Sequence, residues 1–330
     1  MERRSTPVSI GMALLLGVQA VTLLLFVFNA DRMASRFVGA MCAVGTLRVN
    51  SFGFPALLTQ VAAFLGSSVW LTMNAVDTRC RDYPLARAKS VLLLSLVPLL
   101  ALSFGLELAH FLGLEADVIT SCCATMFSPE LQTVVGSGAG WPVRQAMPVY
   151  FVVLGAAVLV ATRVAWRGSG GLVLGISGLV AFAVSLAAVV AFVSPYVFED
   201  PRHHCPFCLL KSEYGYRGYA LFVPLFAATA ASLGAAALAP FGAGANGSPD
   251  LAGRVRGATR ALASVALAGF LVVLLLTARE IAASRLTLLS DGRAKRAAPW
   301  GAPDVLITLA GMTQTCPDLN FTWVMRKPPP

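Results

Sequence analysis

The sequence predicts an all-α integral membrane protein of about seven transmembrane helices, with a cytoplasmic N-terminus and a periplasmic C-terminal tail. Three observations lead there. Of 330 residues, 57% are hydrophobic and only 12% charged, whereas a soluble domain carries about 25% charged residues. Mean hydropathy is +0.75. The apolar residues also gather into long runs, and a helix needs ~20 such residues to cross a bilayer.

The runs are taken in order. Ser5–Ala30 and Val49–Val76 contain no charge. Ser90–Leu106 is charge-free and continues past Glu107 to about Leu114. Gln145–Thr162, Gly168–Phe198, Gly218–Pro249 and Ala261–Ala278 complete the set. Each is long enough for one crossing and too short for two. The organisation is therefore a helical membrane domain over 1–283 and an extramembrane tail over 284–330. Met1-Glu2-Arg3-Arg4 before the first run is also how a signal peptide begins. That run is long, however, and bulky Phe26 and Phe28 stand where a small residue would precede cleavage. An uncleaved signal-anchor is expected.

Basic residues fix the orientation, because Arg and Lys collect in short cytoplasmic loops. Arg3 and Arg4, then Arg79, Arg81, Arg87 and Lys89, then Arg163 and Arg167, then Arg254, Arg256 and Arg260 all fall on one side. The segment 115–144 has Arg144 against Glu115, Asp117 and Glu130. Arg32, Arg36 and Arg48 in the first outer loop, and Arg293, Lys295 and Arg296 in the tail, run against the pattern. In a bacterium this places the chain in the inner membrane. The net charge of +9 then reflects topology, so the expected partner is the lipid bilayer and not nucleic acid.

The same topology sorts the seven cysteines. Cys42 falls in the first outer loop, Cys122 and Cys123 in the second, Cys205 and Cys208 in the third, and Cys316 in the tail. Only Cys80 lies inside. Most of the sulfur thus faces the periplasm, an oxidising compartment. The first outer loop is mildly amphipathic and is expected along the membrane surface. The segment 241–253 reads as a flexible linker, and the tail holds a β-prone run, Val305 to Leu309. Trp141, Tyr196, Tyr214, Tyr216 and Tyr219 are placed as an interfacial belt would be.

The chemistry candidates follow from that face. His203 and His204 abut Cys205-Pro-Phe-Cys208, and imidazole and thiolate are the donors that Zn²⁺ takes in tetrahedral sites. Adjacent Cys122 and Cys123 do not readily bond each other, since the intervening peptide would be strained. Each therefore wants a partner elsewhere or a soft metal. Met41 and Met126 add thioethers, and thiolate with thioether suits Cu(I). Glu107 and His110 share a helix face near the outer end of the third run. Ionisable groups at membrane depth are costly and usually face a partner or cavity, so a proton path, a metal ligand and a quinone contact are open, as is plain snorkelling into water. No Walker A loop, nucleophile elbow, HExxH or Rossmann fingerprint is present. A covalent haem needs C-x-x-C-H, and Leu209 follows Cys208, so it is excluded.

Three readings result. The first is handling of a soft metal, copper or zinc, or maturation of a metalloprotein, with His203, His204, Cys205, Cys208, Cys122 and Cys123 as ligands and a periplasmic protein as partner. It uses the most residues and is the leading expectation. The second rests on a resemblance. Cys205-Pro-Phe-Cys208, followed by Lys211 and a membrane helix, resembles the arrangement in DsbB-type and vitamin K epoxide reductase-type proteins. Those set a CxxC at the outer end of a helix beside bound quinone, with a second cysteine pair in another loop. The resemblance implies that Cys205 and Cys208 exchange electrons with quinone, while two of Cys42, Cys122 and Cys123 shuttle them to a redox partner. The seven helices exceed the four-helix core of those families. The third reading is a non-enzymatic subunit with structural disulfides, for which six cysteines allow 15 pairings.

Overall fold

Helix length follows the apolar runs. The computed structural model describes residues 2–40, 42–80, 83–115, 142–201, 203–242, 249–286 and 288. Its elements are α1 (Glu2–Met33), a short α2 (Ala43–Leu47), α3 (Gly53–Asp77), α4 (Ala86–Leu112), α5 (Val143–Arg167), α6 (Gly171–Ala188), α7 (Ser194–Phe198), α8 (Arg217–Gly242) and α9 (Pro249–Ala283). A π turn, Val189–Val193, joins α6 to α7. Seven helices among the described residues are long and apolar enough to cross a membrane, Gly171–Phe198 counting as one. There is no strand among the described residues. This is a multi-pass, all-α membrane protein.

Several helices outrun their apolar windows, as α5 and α9 do at both ends, because a helix keeps its backbone hydrogen bonds while Arg and Lys side chains reach for water. The clearest case is α9, which begins a dozen residues before Ala261. Part of the expected linker over 241–253 is thereby helical. Pro249 takes the first helical position, where its missing N–H costs nothing.

Two bundles share α3 and α8 as their seam. In one, α5, α6, α8 and α9 enclose the main core around Tyr150, Leu154, Phe192, Leu225 and Phe270. Lipid offers no hydrophobic drive for association, so close backbone approach does the work. Gly171, Gly175 and Gly178 give α6 a smooth face. A Cβ on Gly171 would lie 2.2 Å from the Ala235 carbonyl oxygen on α8, and one on Gly178 2.5 Å from the Ser232 side chain. In the other bundle, α1, α3 and α4 pack together, with Leu16, Trp70 and Leu96 filling one layer.

Alternating helix direction puts the α1–α3 and α6–α8 connections at the same end, here called the thiol end. Cys80 lies at the opposite end, packed with Val76, Leu85 and Leu251. The first described residues of the tail return to the thiol end: the Arg285 N–H donates to Glu199 Oε1 at 3.2 Å. The rest of the tail, with Cys316 and Val305 to Leu309, lies outside the described residues.

The first outer loop differs from its expected place on the membrane surface. Residues 42–47 are all buried, and Thr46 Oγ1 donates to the Ala30 carbonyl at 2.7 Å. The loop folds inward because Ala43 and Leu47 find apolar partners in Phe26, Ala30 and Ala56, while Val44 packs with Cys205 and Cys208. Two aromatics assigned to the belt do likewise. Tyr196 is buried in the main core, and Tyr214 packs on the thiol cluster. Trp141 lies outside the described residues.

Candidate functional site

Three cysteines meet at the thiol end. The Sγ atoms of Cys42, Cys205 and Cys208 all lie within 4.8 Å of one another, and Cys42 Sγ is 3.5 Å from Cys205 Sγ. A disulfide is about 2.05 Å long, so these are neighbouring sulfurs and not a bonded pair. Exposure is 0% for Cys42, 5% for Cys205 and 7% for Cys208. Val44, Phe54, Phe198, Phe207 and Tyr214 form the walls.

Local sequence sets each sulfur in place. Cys42 has extended backbone and stands immediately before α2, whose burial pins it. Pro206 and Phe207 turn the chain into a single 3₁₀ turn, Cys208–Leu210, which brings two sulfurs three residues apart to one side. Gly218 lets α8 begin close beneath this turn, since a Cβ there would sit 2.9 Å from the Leu209 carbonyl carbon. The sulfur of Cys205 is a hydrogen-bonding neighbour of the Cys208 and Cys42 thiols, and the backbone N–H groups of Cys208 and Phe207 point to it as well. Donors aimed at a sulfur favour its ionised form. They hold Cys205 down to about 4, against the opposing effect of burial. Cys208 is pushed up, first because its proton is donated to Cys205, then because it is also shared with Cys42 and buried. One proton leaves this trio easily, and another is held tightly. Burial also raises Tyr214.

The histidines go elsewhere. His203 stacks on Phe198 with ring centroids 4.0 Å apart, and its Nε2 is buried without a hydrogen-bond partner. Burial lowers its basicity, with Asp200 opposing that and His204 adding to it. His204 Nδ1 donates to the Val190 carbonyl at 2.8 Å. That carbonyl belongs to the π turn, where the widened hydrogen-bond spacing frees a backbone acceptor. Neither imidazole joins the three sulfurs as a nearby donor. Cys122, Cys123, Met126 and Met41 lie outside the described residues.

Glu107 and His110 sit at the same end but face other partners. Gln60 on α3 donates its amide N–H to Glu107 Oε2 and accepts one from Gln19 on α1. His110 is fully buried, with Nδ1 2.9 Å from Asn50 Oδ1 and its ring against Phe26 and Phe111. The Asn50 amide donates to the His110 carbonyl at 3.0 Å. Phe26, against the His110 ring, packs in one apolar cluster with Ala43, Leu47 and Phe54, and Phe54 also lines the cysteines.

Sequence reasoning passed over the neutral polar residues that complete these contacts. Gln60, Ser67 and Asn74 recur every seven residues along α3, and all three are buried. That spacing inside an apolar run was the available signal. At the far end of this face Asn74 accepts from Ser9 at 2.7 Å and from Lys89 at 3.1 Å, while Lys89 pairs with buried Asp77 at 2.6 Å. Interhelical polar contacts of this kind hold membrane helices together.

An open cavity of about 450 Å³ adjoins the thiols, lined by Asp31, Arg32, Ala34, Ser35, Ala40 and Lys211. Ala40 belongs to both, since it also packs against the cysteine cluster. The Asp31 carboxylate accepts the Ala43 N–H, tying the cavity wall to the segment that carries Cys42. No known family model matches the chain, and neither does any curated protein or solved structure.

Proposed function

We propose that this chain is a bacterial inner-membrane protein that holds a soft metal ion, copper or zinc, at its periplasmic face, and hands it on or uses it in maturing a periplasmic metalloprotein. The observation that carries this is the meeting of Cys42 with Cys205 and Cys208 across 163 residues of chain. A Zn–S bond of about 2.3 Å implies sulfurs about 3.8 Å apart around a tetrahedral ion. The separations here, 3.5 Å and none beyond 4.8 Å, need only small rotations to close on an ion. Thiolates are the ligands that select soft metals. The test is alkylation of the purified protein with and without reductant, with metals quantified in the same preparation. Free thiols at 42, 205 and 208 with one equivalent of copper or zinc are expected. Reduction-resistant bonds at these positions would leave only the structural role.

A second reading is favoured by the uneven protons of the trio. A thiolate at Cys205 beside a protonated Cys208 is the pattern that serves thiol–disulfide exchange. Oxidation would join the Cys205 thiolate and Cys208 by one S–S bond and release one proton, from Cys208, and two electrons; a quinone would take up both electrons, that proton and a second one from solvent to become quinol. A 205–208 bond that quinol reduces would decide for this reading.

A further inference from the structure

We infer that the ion taken by the thiols is Cu(I), held in a three-coordinate, all-sulfur site by Cys42, Cys205 and Cys208, and that Zn(II) is excluded. This rests on the soft-metal reading above and names its cargo. The argument concerns donors, shape and wetness.

The donor count comes first. Structural Zn(II) is almost always four-coordinate, and catalytic Zn(II) fills its fourth position with water or substrate. Cu(I) is softer and favours thiolate and thioether sulfur, with no such demand for a fourth ligand. Among the described residues the only His, Cys, Asp or Glu donors that converge within 4.8 Å are the three sulfurs. The two histidines best placed by sequence to supply a fourth donor do not converge with all three sulfurs within 4.8 Å. His204 donates to Val190, and the His203 ring is held stacked on the wall residue Phe198.

Shape agrees. Three sulfurs about 2.3 Å from a central ion and spread trigonally stand about 4.0 Å apart. The trio brackets that distance from 3.5 Å to at most 4.8 Å. Burial weighs against the usual remedy for a three-ligand zinc site. Exposure is 7% or less at every sulfur, and the walls are Phe54, Phe198, Phe207 and Tyr214. A zinc-bound water would need polar partners at the ion; the walls are aromatic apart from the Tyr214 hydroxyl, and the polar-lined cavity shares only Ala40 with the cluster. The negative charge of a copper–thiolate site is offset by the N–H groups of Phe207 and Cys208 at the Cys205 sulfur, and by Arg32 and Lys211 on the adjoining cavity. Binding moves no electron: each thiol that ligates Cu(I) gives its proton to solvent.

The experiment uses reduced, metal-stripped full-length protein in detergent under anaerobic conditions. It is titrated with Cu(I) against a colorimetric Cu(I) chelator, and separately with Zn(II) against a zinc dye. One equivalent of Cu(I) withheld from the chelator, with zinc left to the dye, is expected. X-ray absorption of the copper-loaded protein should fit three sulfur neighbours and no nitrogen. Cys42→Ser should weaken Cu(I) by at least about tenfold, the low end of what losing even a supporting residue of a metal site costs. His203→Ala, His204→Ala and the Cys122→Ser/Cys123→Ser pair should leave it unchanged. Circular dichroism and gel filtration check the folding of each variant, and the wild-type spectrum is decisive even if one fails. Zinc held in preference to Cu(I), a nitrogen neighbour, or a fourth sulfur lost with Cys122 and Cys123 would overturn this inference alone. A protein that binds neither ion overturns it together with the soft-metal reading.

Discussion

The S–H groups aimed at Cys205 predict an unusual pH profile for its alkylation in the metal-free, reduced protein. An ordinary cysteine, with a pKa of about 8.5, is ~0.1% thiolate at about pH 5.5 and ~50% at about pH 8.5, so its rate climbs about 500-fold across that window. Cys205, held down to about 4, is already nearly all thiolate at the acid end, and its rate should be flat. The lower pKa also blunts the nucleophile. With a Brønsted slope of about 0.4–0.5, each Cys205 thiolate is a weaker nucleophile than an ordinary one. Before any effect of burial, Cys205 should thus gain on an ordinary thiol at the acid end of the window and lose to it at the alkaline end. Burial scales both ends alike and leaves the shape intact. The assay is timed iodoacetamide labelling read by peptide mass spectrometry, with the denatured protein as reference. Cys42→Ala/Cys208→Ala removes both S–H donors and should restore the climb. A native Cys205 whose rate rises through the window, with an inflection near about 8.5, would refute the proton-sharing argument.

Other outcomes follow from the packing. Asp77→Ala removes the fully buried carboxylate 2.6 Å from the Lys89 ammonium, while the bond to Asn74 Oδ1 remains, and should cost about 3 kcal/mol, the low end for breaking a buried pair. Unfolding in mixed detergent would measure this, and Asp77→Ala/Lys89→Met should recover much of the loss. Gly171→Ala puts a Cβ against the Ala235 backbone and should destabilise by about 1–3 kcal/mol. In the same assay Gly155→Ala, which meets nothing within 4 Å, should gain up to ~1 kcal/mol of helix propensity. Glu107→Leu removes the acceptor for Gln60 and should cost about 0.6–2 kcal/mol of helix association without changing metal content; altered metal content would tie Glu107 to the thiols. With an impermeant thiol reagent on intact cells, a cysteine introduced at exposed Ser212, in the loop after Cys208, and one introduced at exposed Arg79, beside Cys80, should label from opposite sides; labelling of both from one side would refute the topology.

The seven helices were legible from sequence because spanning is a one-dimensional demand: each run must bury its own backbone in hydrocarbon, whatever its neighbours do. The cysteine cluster was legible in part, since Cys205-Pro-Phe-Cys208 carries its spacing within four residues. Its composition was not. Sequence placed His203 and His204 next to Cys205, but adjacency along a turn sets no direction. Phe198 and the Val190 carbonyl, both supplied by the preceding helix, draw the two rings away. Glu107 and His110 stood out as costly charges, while the residues that satisfy them, Gln60 and Asn50, looked like incidental polar breaks in apolar segments.

What the sequence determined alone is the membrane class, the number of crossings and the gathering of sulfur towards one face, because hydropathy and segment length are local properties. What only tertiary structure decided is that Cys42 is the third member of the cluster. A buried five-residue helix carries it to a loop 163 residues away, and that meeting depends on how α2 packs under Phe26, Ala30 and Ala56. No periodicity along the chain records which buried surfaces will find each other.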